Sequence, residues 1–177
     1  MGFLDPEEVL NKLSLKSDMM AGDFGSGPGG FTIPLAKRLE DGIVNALDVQ
    51  VAPLSALKSH SLVEKLNNIR FIRCNLEKVN GSTLSDSSLD LVLLVNILFQ
   101  IDNKTAIIVE AYRVLKKGGK LLVVDWLPES SQGPKKGKID QKEIKKIIEK
   151  IGFKLEKEFE AGKFHYGMIF SIIKKDK

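Results

Sequence analysis

The sequence predicts a doubly wound α/β domain, a mostly parallel sheet with helices on both faces, and three observations carry that reading. Short strand-like segments alternate with helical ones along most of the 177 residues. Two of the strand segments, Leu91–Val95 and Leu121–Val124, are unbroken apolar runs, as expected for parallel strands covered on both faces. The first strand runs straight into a glycine-dense turn, Gly25-Ser26-Gly27-Pro28-Gly29-Gly30, which opens a helical pattern.

The elements follow in order. Asp5, Pro6, Glu7 and Glu8 read as an N-cap, a first-position proline and first-turn acids, with Val9, Leu10 and Leu13 at helical spacing, so a short helix precedes the core. Periodicity then places strand 19–23, helix 28–40, strand 43–48, helix 52–66 and strand 69–74. Strand 89–95, helix 104–115, strand 120–126 and helix 140–151 continue the series. Gly118 and Gly119 are expected to cap the helix at 104–115 and turn the chain into the next strand. Strands 153–160 and 165–174 are separated only by a short stretch containing Gly162. That stretch cannot hold a crossover helix, so the pair should form an antiparallel hairpin. Residues 127–138, with Pro128, Gly133, Pro134 and Gly137, form a long loop suited to a rim or lid.

Length and composition fit one domain over 1–177, residues 1–18 being a short N-terminal helical segment. No apolar run approaches a membrane span, and acid stands near the start where a signal peptide would carry basic residues; a cytoplasmic protein without membrane insertion is expected. Cys74 is the only cysteine, which rules out an intrachain disulfide and a cysteine-based zinc site, and no metal is expected. The net charge of +4 is uneven, with 10 Lys+Arg against 14 Asp+Glu up to residue 112 and 17 against 9 beyond it. Lys135 to Lys150 either track a phosphate backbone or form the solvated face of a lysine-rich helix, and no aromatic residue is interleaved there to stack bases.

Asp23 distinguishes two ligand readings of the glycine turn, whose glycines also satisfy the G-x-G-x-x-G dinucleotide pattern. A carboxylate at the strand end repels a pyrophosphate and pairs well with the ammonium of an amino-acid moiety. A glycine-rich connection with no ligand is the bland alternative. Asp48, closing the second strand 25 residues later, is placed to accept both hydroxyls of a ribose or to cap the helix that begins near Ala52.

The spacing Asp23-x-Gly25-x-Gly27-x-Gly29 resembles motif I of class I S-adenosylmethionine-dependent methyltransferases. The run Val114-Leu-Lys-Lys-Gly118-Gly119 into strand 120–126 and the terminal hairpin strengthen the resemblance. It points to the small-molecule type, the broad group that includes quinone-precursor C-methylases. What it implies is a seven-stranded sheet of order 3-2-1-4-5-7-6 with the seventh strand antiparallel, and S-adenosylmethionine as cofactor with S-adenosylhomocysteine as product. It implies cofactor contacts at Asp23, Phe24, Gly25, Gly27, Gly29, Asp48, Val49, Asn75, Leu76 and Asn96. Asn75 stands where relatives usually carry an aspartate that accepts from the adenine amine; it takes that part or is simply a turn residue. Residues 96–100 should face the methionine end and the substrate, with Phe99 and Gln100 where many relatives have histidine. Asp125, at the end of the fifth strand, is the candidate general base or else a loop cap. His60 and His165 read as structural. His165 and Tyr166 would border the substrate cavity if the hairpin folds over it, and Trp126 either walls that cavity or covers the sheet edge.

A small-molecule acceptor is the default, with RNA or a protein side chain as possible acceptors and the oligomeric state open. No Asn/Asp-Pro-Pro-Tyr/Phe run of the amino-methylating nucleic-acid enzymes follows the fourth strand, and a lone cysteine argues against a covalent cytosine adduct and against arsenite methylation by a cysteine cluster. The alternatives are a nicotinamide-dependent oxidoreductase and a non-catalytic S-adenosylmethionine-binding or RNA-associated module.

Overall fold

In the computed structural model, which describes residues 3–173, the chain runs α1 (Pro6–Leu10), β1 (Met20–Phe24), α2 (Thr32–Arg38), β2 (Ile43–Asp48), α3 (Val51–Val63), β3 (Ile69–Arg73) and β4 (Leu89–Val95). A 3-10 turn at Leu98–Gln100 follows, then α4 (Lys104–Val114), β5 (Leu115–Trp126), α5 (Gln141–Ile151), β6 (Phe153–Glu160) and β7 (His165–Ile172). Met1 and Gly2 of the expected N-terminal segment, and Lys174 at the expected end of the last strand, lie outside the described residues.

The seven strands form one sheet in the order β3-β2-β1-β4-β5-β7-β6. Strands β1 to β5 are parallel, and β7 is antiparallel to both β5 and β6. The terminal hairpin and the strand order are therefore as expected. Helices α4 and α5 cover one face, packing Ile107, Ile108, Ala111, Ile144 and Ile148 on Val92, Leu94, Leu121 and Val123. On the other face α1 and α2 pack Val9, Leu10, Leu35 and Ala36 on Ala21, Leu91, Leu93 and Leu122. Leu91 to Leu94 are at most 2% exposed, which explains why β4 reads as a continuous apolar run rather than an alternation.

Two elements differ from expectation. Helix α2 begins at Thr32, four residues later than its pattern suggests, because Gly27 (φ +53°) and Gly29 (φ +100°) hold the turn in the left-handed region. The glycine pair at 118–119 is not a helix cap. Helix α4 already ends at Val114, the extended Leu115 pairs with Leu89, and the sheet register resumes only at Lys120 opposite Leu91. Gly118, at φ +76°, turns the chain inside this irregularity of β5.

The cap at Asp5 is as expected, and the structure adds caps at both ends of α5. Asp5 accepts from the Glu7 amide at 2.9 Å, Asp140 accepts from the Lys142 amide at 2.8 Å, and Gly152 (φ +119°) ends α5. The basic stretch is partly tied down: Lys138 Nζ donates to the Ser130 and Gln132 carbonyls at 2.6 and 2.9 Å, and Lys145 pairs with Glu158 at 3.0 Å. The connection from β3 to β4 is anchored by Glu110 of α4, which accepts from the Ser82 amide (2.9 Å), the Ser82 hydroxyl and Arg113 (2.7 Å). All the parallel strands thus present their carboxyl ends, and the turns that follow them, at one edge of the sheet.

Candidate functional site

At that edge, the turn after β1 is pinned to β2: the Gly25 and Ser26 amides donate to the Leu47 carbonyl at 2.7 and 3.0 Å. The glycines of this turn divide into two kinds. A Cβ on Gly25 would lie 2.0 Å from Ile97 Cδ1, and one on Gly29 would lie 2.2 Å from Leu57 Cδ1, so neighbouring side chains exclude larger residues there. Gly27 and Gly30 have nothing within 4 Å of the same position, which leaves an open backbone cradle. The Ser26 hydroxyl within the turn is buried without a partner. Phe24, fully buried, belongs to the core and reaches the site only through its backbone.

Beside the cradle lies a hollow of about 260 Å³, bordered by Gly25, Asp48, Val49, Asn75 and Leu76 among the expected residues. Asp48 Oδ2 accepts from the Gly27 amide at 3.0 Å and Oδ1 from the Gln50 amide at 2.9 Å. The carboxylate is thereby fixed between the two turns, each oxygen keeping a further lone pair. Asn75 Oδ1 accepts from the Glu77 amide at 2.9 Å, the turn-residue role, while Asn75 also borders the hollow. Ile97, Gln100 and Ile101, from the segment after β4, close the other side. Ile97 and Gln100 belong to the expected 96–100 segment, whereas Ile101 carried no sequence signal, and the place of all three depends on the crossover that sets β4 beside β1. Cys74 also borders the hollow. Burial, with Glu110 and Asp48 adding, pushes its thiol up to about 11, so it is protonated at neutral pH and a poor nucleophile.

Three carboxylate and amide groups complete the edge. Asp23 does not border the hollow; it is 2% exposed, and its Oδ2 accepts from the Thr32 hydroxyl at 2.5 Å, tying the end of β1 to the start of α2. Burial raises its pKa to about 6, against the hydrogen bond from Thr32 and with a small addition from Asp48. Asn96 has φ +50°, a conformation asparagine tolerates, and its Oδ1 is buried with no partner. Asp125 is fully buried, with Oδ2 accepting from the Leu98 amide at 2.9 Å and Oδ1 from the Trp126 amide at 2.8 Å. Burial raises its pKa to about 6 as well, with those two amides holding it back. The geometry is that of a clamp between the ends of β4 and β5.

His60 lies on α3, and its Nδ1 is 3.3 Å from the Pro28 carbonyl. A larger hollow of about 410 Å³ opens at the opposite edge, around Met19, Leu15, Gly118 and Gly119, and none of the expected site residues borders it. Among the described residues, no group of three or more His, Cys, Asp or Glu is arranged to hold a metal ion, and no helix is long and apolar enough to cross a membrane.

Comparison with known proteins identifies the family and the fold. Residues 15–168 match the family model described as a methyltransferase domain. The chain is 29% identical to human arsenite methyltransferase over 171 residues, covering 86% of this chain and 44% of that protein. The mouse protein of the same description is 29% identical over 74% of this chain and 40% of its own length. The chain thus spans less than half the length of these curated relatives. The crystal structure of an S-adenosylmethionine-dependent methyltransferase from Aquifex aeolicus superposes with a TM-score of 0.87 at 26% identity, covering 96% of this chain and 90% of that one.

Proposed function

The chain belongs to the methyltransferase domain family, with S-adenosylmethionine as its cofactor, and from that premise we propose that it methylates a small molecule at the carboxyl edge of its sheet. We also take residues 1–177 as one domain, supported by a single seven-stranded sheet whose two faces are covered by cores running from Val9 to Ile172. The observation that carries the site is the open cradle at Gly27 and Gly30 beside the fixed Asp48 carboxylate.

The residues fit the cofactor. The spare lone pairs of Asp48 suit two ribose hydroxyls, Asn75 and Leu76 suit the adenine, and the cradle lets the chain backbone approach without a Cβ between. The unpaired Asn96 Oδ1 suits an N–H of the amino-acid end. Asp23 supplies negative charge beneath the turn for the ammonium. S-adenosylmethionine supplies an electrophilic methyl on a sulfonium whose leaving thioether is neutral, so the protein's main task is to hold the acceptor in line. Asp125 contributes by fixing the Leu98 amide, and with it the segment that carries Asn96 and Ile97.

Arsenite, the acceptor named for the human and mouse relatives, is disfavoured by chemistry. Soft thiolates are the ligands that would hold it, and Cys74 is the one cysteine, with its thiol pushed up to about 11. Incubation with S-adenosylmethionine labelled at the methyl carbon, against a panel of small phenols, amines and RNA, tests the acceptor class. Label in a small molecule supports the proposal; label in RNA alone overturns it.

Two further outcomes are expected here. Gly27→Ala should lower stability by only about 1–2 kcal/mol, the usual cost of a left-handed non-glycine residue. It should nevertheless weaken S-adenosylmethionine binding at least tenfold, because its Cβ enters the cradle; calorimetric titration beside a urea melt separates the two effects. Asp23→Asn bears on pH. With a folded pKa of about 6 against 3.8, ionised Asp23 destabilises the fold, a penalty absent below pH 3.8 and complete above pH 6. Stability from this group therefore falls as pH rises through that window. The asparagine variant should melt higher than the parent at pH 7.5, with the gap closing by pH 4, while binding the cofactor more weakly.

A further inference from the structure

Trp126 at the end of β5 and His165 at the start of β7 are opposite one another in the antiparallel pairing, their ring centroids 4.0 Å apart. Both are enclosed, at 8% and 1% exposure. The indole Nε1 and both imidazole nitrogens are buried with no hydrogen-bond partner. Leaving one buried polar group unpaired costs roughly 1–3 kcal/mol, so three in one tilted ring pair call for an explanation beyond packing. Burial alone pushes His165 down to about 4, so at neutral pH the ring is uncharged and offers one donor and one acceptor.

The surroundings define what fits. The backbone of Gly133, at φ +82°, lies against the indole so closely that a Cβ there would be 2.4 Å from Trp126 Cε3. The 127–138 loop thus forms one wall. The ring of Phe3 sits against the cluster with its centroid 5.6 Å from Trp126, 5.7 Å from Phe164 and 5.7 Å from His165. Phe3 is 56% exposed and lies ahead of α1, so it is the removable member. The cluster is linked to the cofactor cradle by short steps: Asp125 holds the Leu98 amide, and Ile97 packs into the space above Gly25.

We propose that this aromatic box is the ring-binding subsite for the acceptor, taking a neutral planar ring that bears a hydroxyl and that displaces Phe3 to hydrogen-bond Trp126 and His165. The assignment rests on the methyltransferase reading above. A phenyl group already occupies the position, which fixes the size and flatness of the occupant, but it leaves the three nitrogens unpaired. A hydroxyl accepts from the indole N–H and donates to the unprotonated imidazole nitrogen. A carboxylate would bring a full negative charge into an enclosed aromatic site, a desolvation cost that two neutral N–H donors do not offset, and an ammonium has nothing to accept from the indole.

Trp126 is the only tryptophan, so its fluorescence reads this subsite directly. The test titrates 4-methylphenol, toluene and 4-methylbenzoate into the full chain, with and without S-adenosylhomocysteine, whose own binding is followed by calorimetry. Saturable quenching by 4-methylphenol at a concentration at least tenfold below that for toluene or 4-methylbenzoate is expected. Phe3→Ala should tighten phenol binding several-fold, and His165→Phe should erase the preference for phenol over toluene, both with S-adenosylhomocysteine affinity unchanged. Equal binding of phenol and toluene, preference for the benzoate, or a Phe3→Ala variant that binds phenol no better overturns the subsite. Phe3 is exposed, so that variant decides the matter even if His165→Phe fails to fold. Loss of S-adenosylhomocysteine binding in the parent would instead strike the cofactor reading, and the phenol titration without it still reports on the box.

Discussion

Asp48→Ala is expected to weaken S-adenosylmethionine binding by about 10²–10⁴-fold. Two hydrogen bonds from ribose hydroxyls to a charged acceptor are worth about 1.5–3 kcal/mol each. The same carboxylate accepts from the Gly27 amide at 3.0 Å and the Gln50 amide at 2.9 Å, so its removal also frees the glycine turn from the β2 end. Both effects act in the same direction. Asp48→Asn keeps one acceptor oxygen and should fall between, near a tenfold loss. Calorimetric titration of the two variants checks this; an alanine variant that binds within threefold of the parent would remove Asp48 from the site.

Glu110→Ala is expected to lower stability by about 3–5 kcal/mol, the usual loss when one member of a buried, hydrogen-bonded ion pair is removed. Its side chain is 4% exposed and accepts from Arg113, from the Ser82 amide and from the Ser82 hydroxyl. Burial pushes the Glu110 pKa up, but the hydrogen bonds from Arg113 and Ser82 outweigh it and hold the group below its ordinary value. The stabilisation is therefore present at neutral pH and is lost on acidification below about 4.5. Truncation leaves the Ser82 amide without its acceptor and Arg113 with only Asp86 and the Ser82 hydroxyl. Ser82 lies in the same connection as Asn75 and Leu76, so cofactor affinity should decline too, and urea melts with and without S-adenosylhomocysteine separate the two losses. Glu110→Gln, which retains an acceptor, should lose less.

The parts of this fold that local rules govern were legible in the sequence. Periodicity located every strand, because Leu91–Val95 and Leu121–Val124 are long apolar runs and Ile43–Asp48 is bounded by Gly42 and by a strand-end acid. The helix cap at Asp5 was equally readable, since it acts within two residues. Gly118 and Gly119 misled because a glycine pair after a helix suits a cap and a strand irregularity alike. Only the pairing of Leu115 with Leu89 decides between them, and that is a tertiary fact. For the site, Asp48, Val49, Asn75 and Leu76 fall at or just after strand ends and border the hollow. The glycine spacing was legible, but what each glycine does was not. Leu57 on α3 and Ile97 after β4 set the packing at Gly29 and Gly25, and both come from distant elements. The Trp126–His165 pair was equally out of reach, because it depends on the register of β5 against β7.

The most direct test is a calorimetric titration of the purified chain with S-adenosylmethionine and S-adenosylhomocysteine, with NAD and NADP run in parallel. Micromolar binding of the two sulfur cofactors with no heat from the nicotinamides is expected, with Asp48→Ala abolishing the signal. Binding of a nicotinamide cofactor, or sulfur-cofactor binding that survives Asp48→Ala undiminished, would contradict the placement of the cofactor at the carboxyl edge beside Gly27 and Asp48.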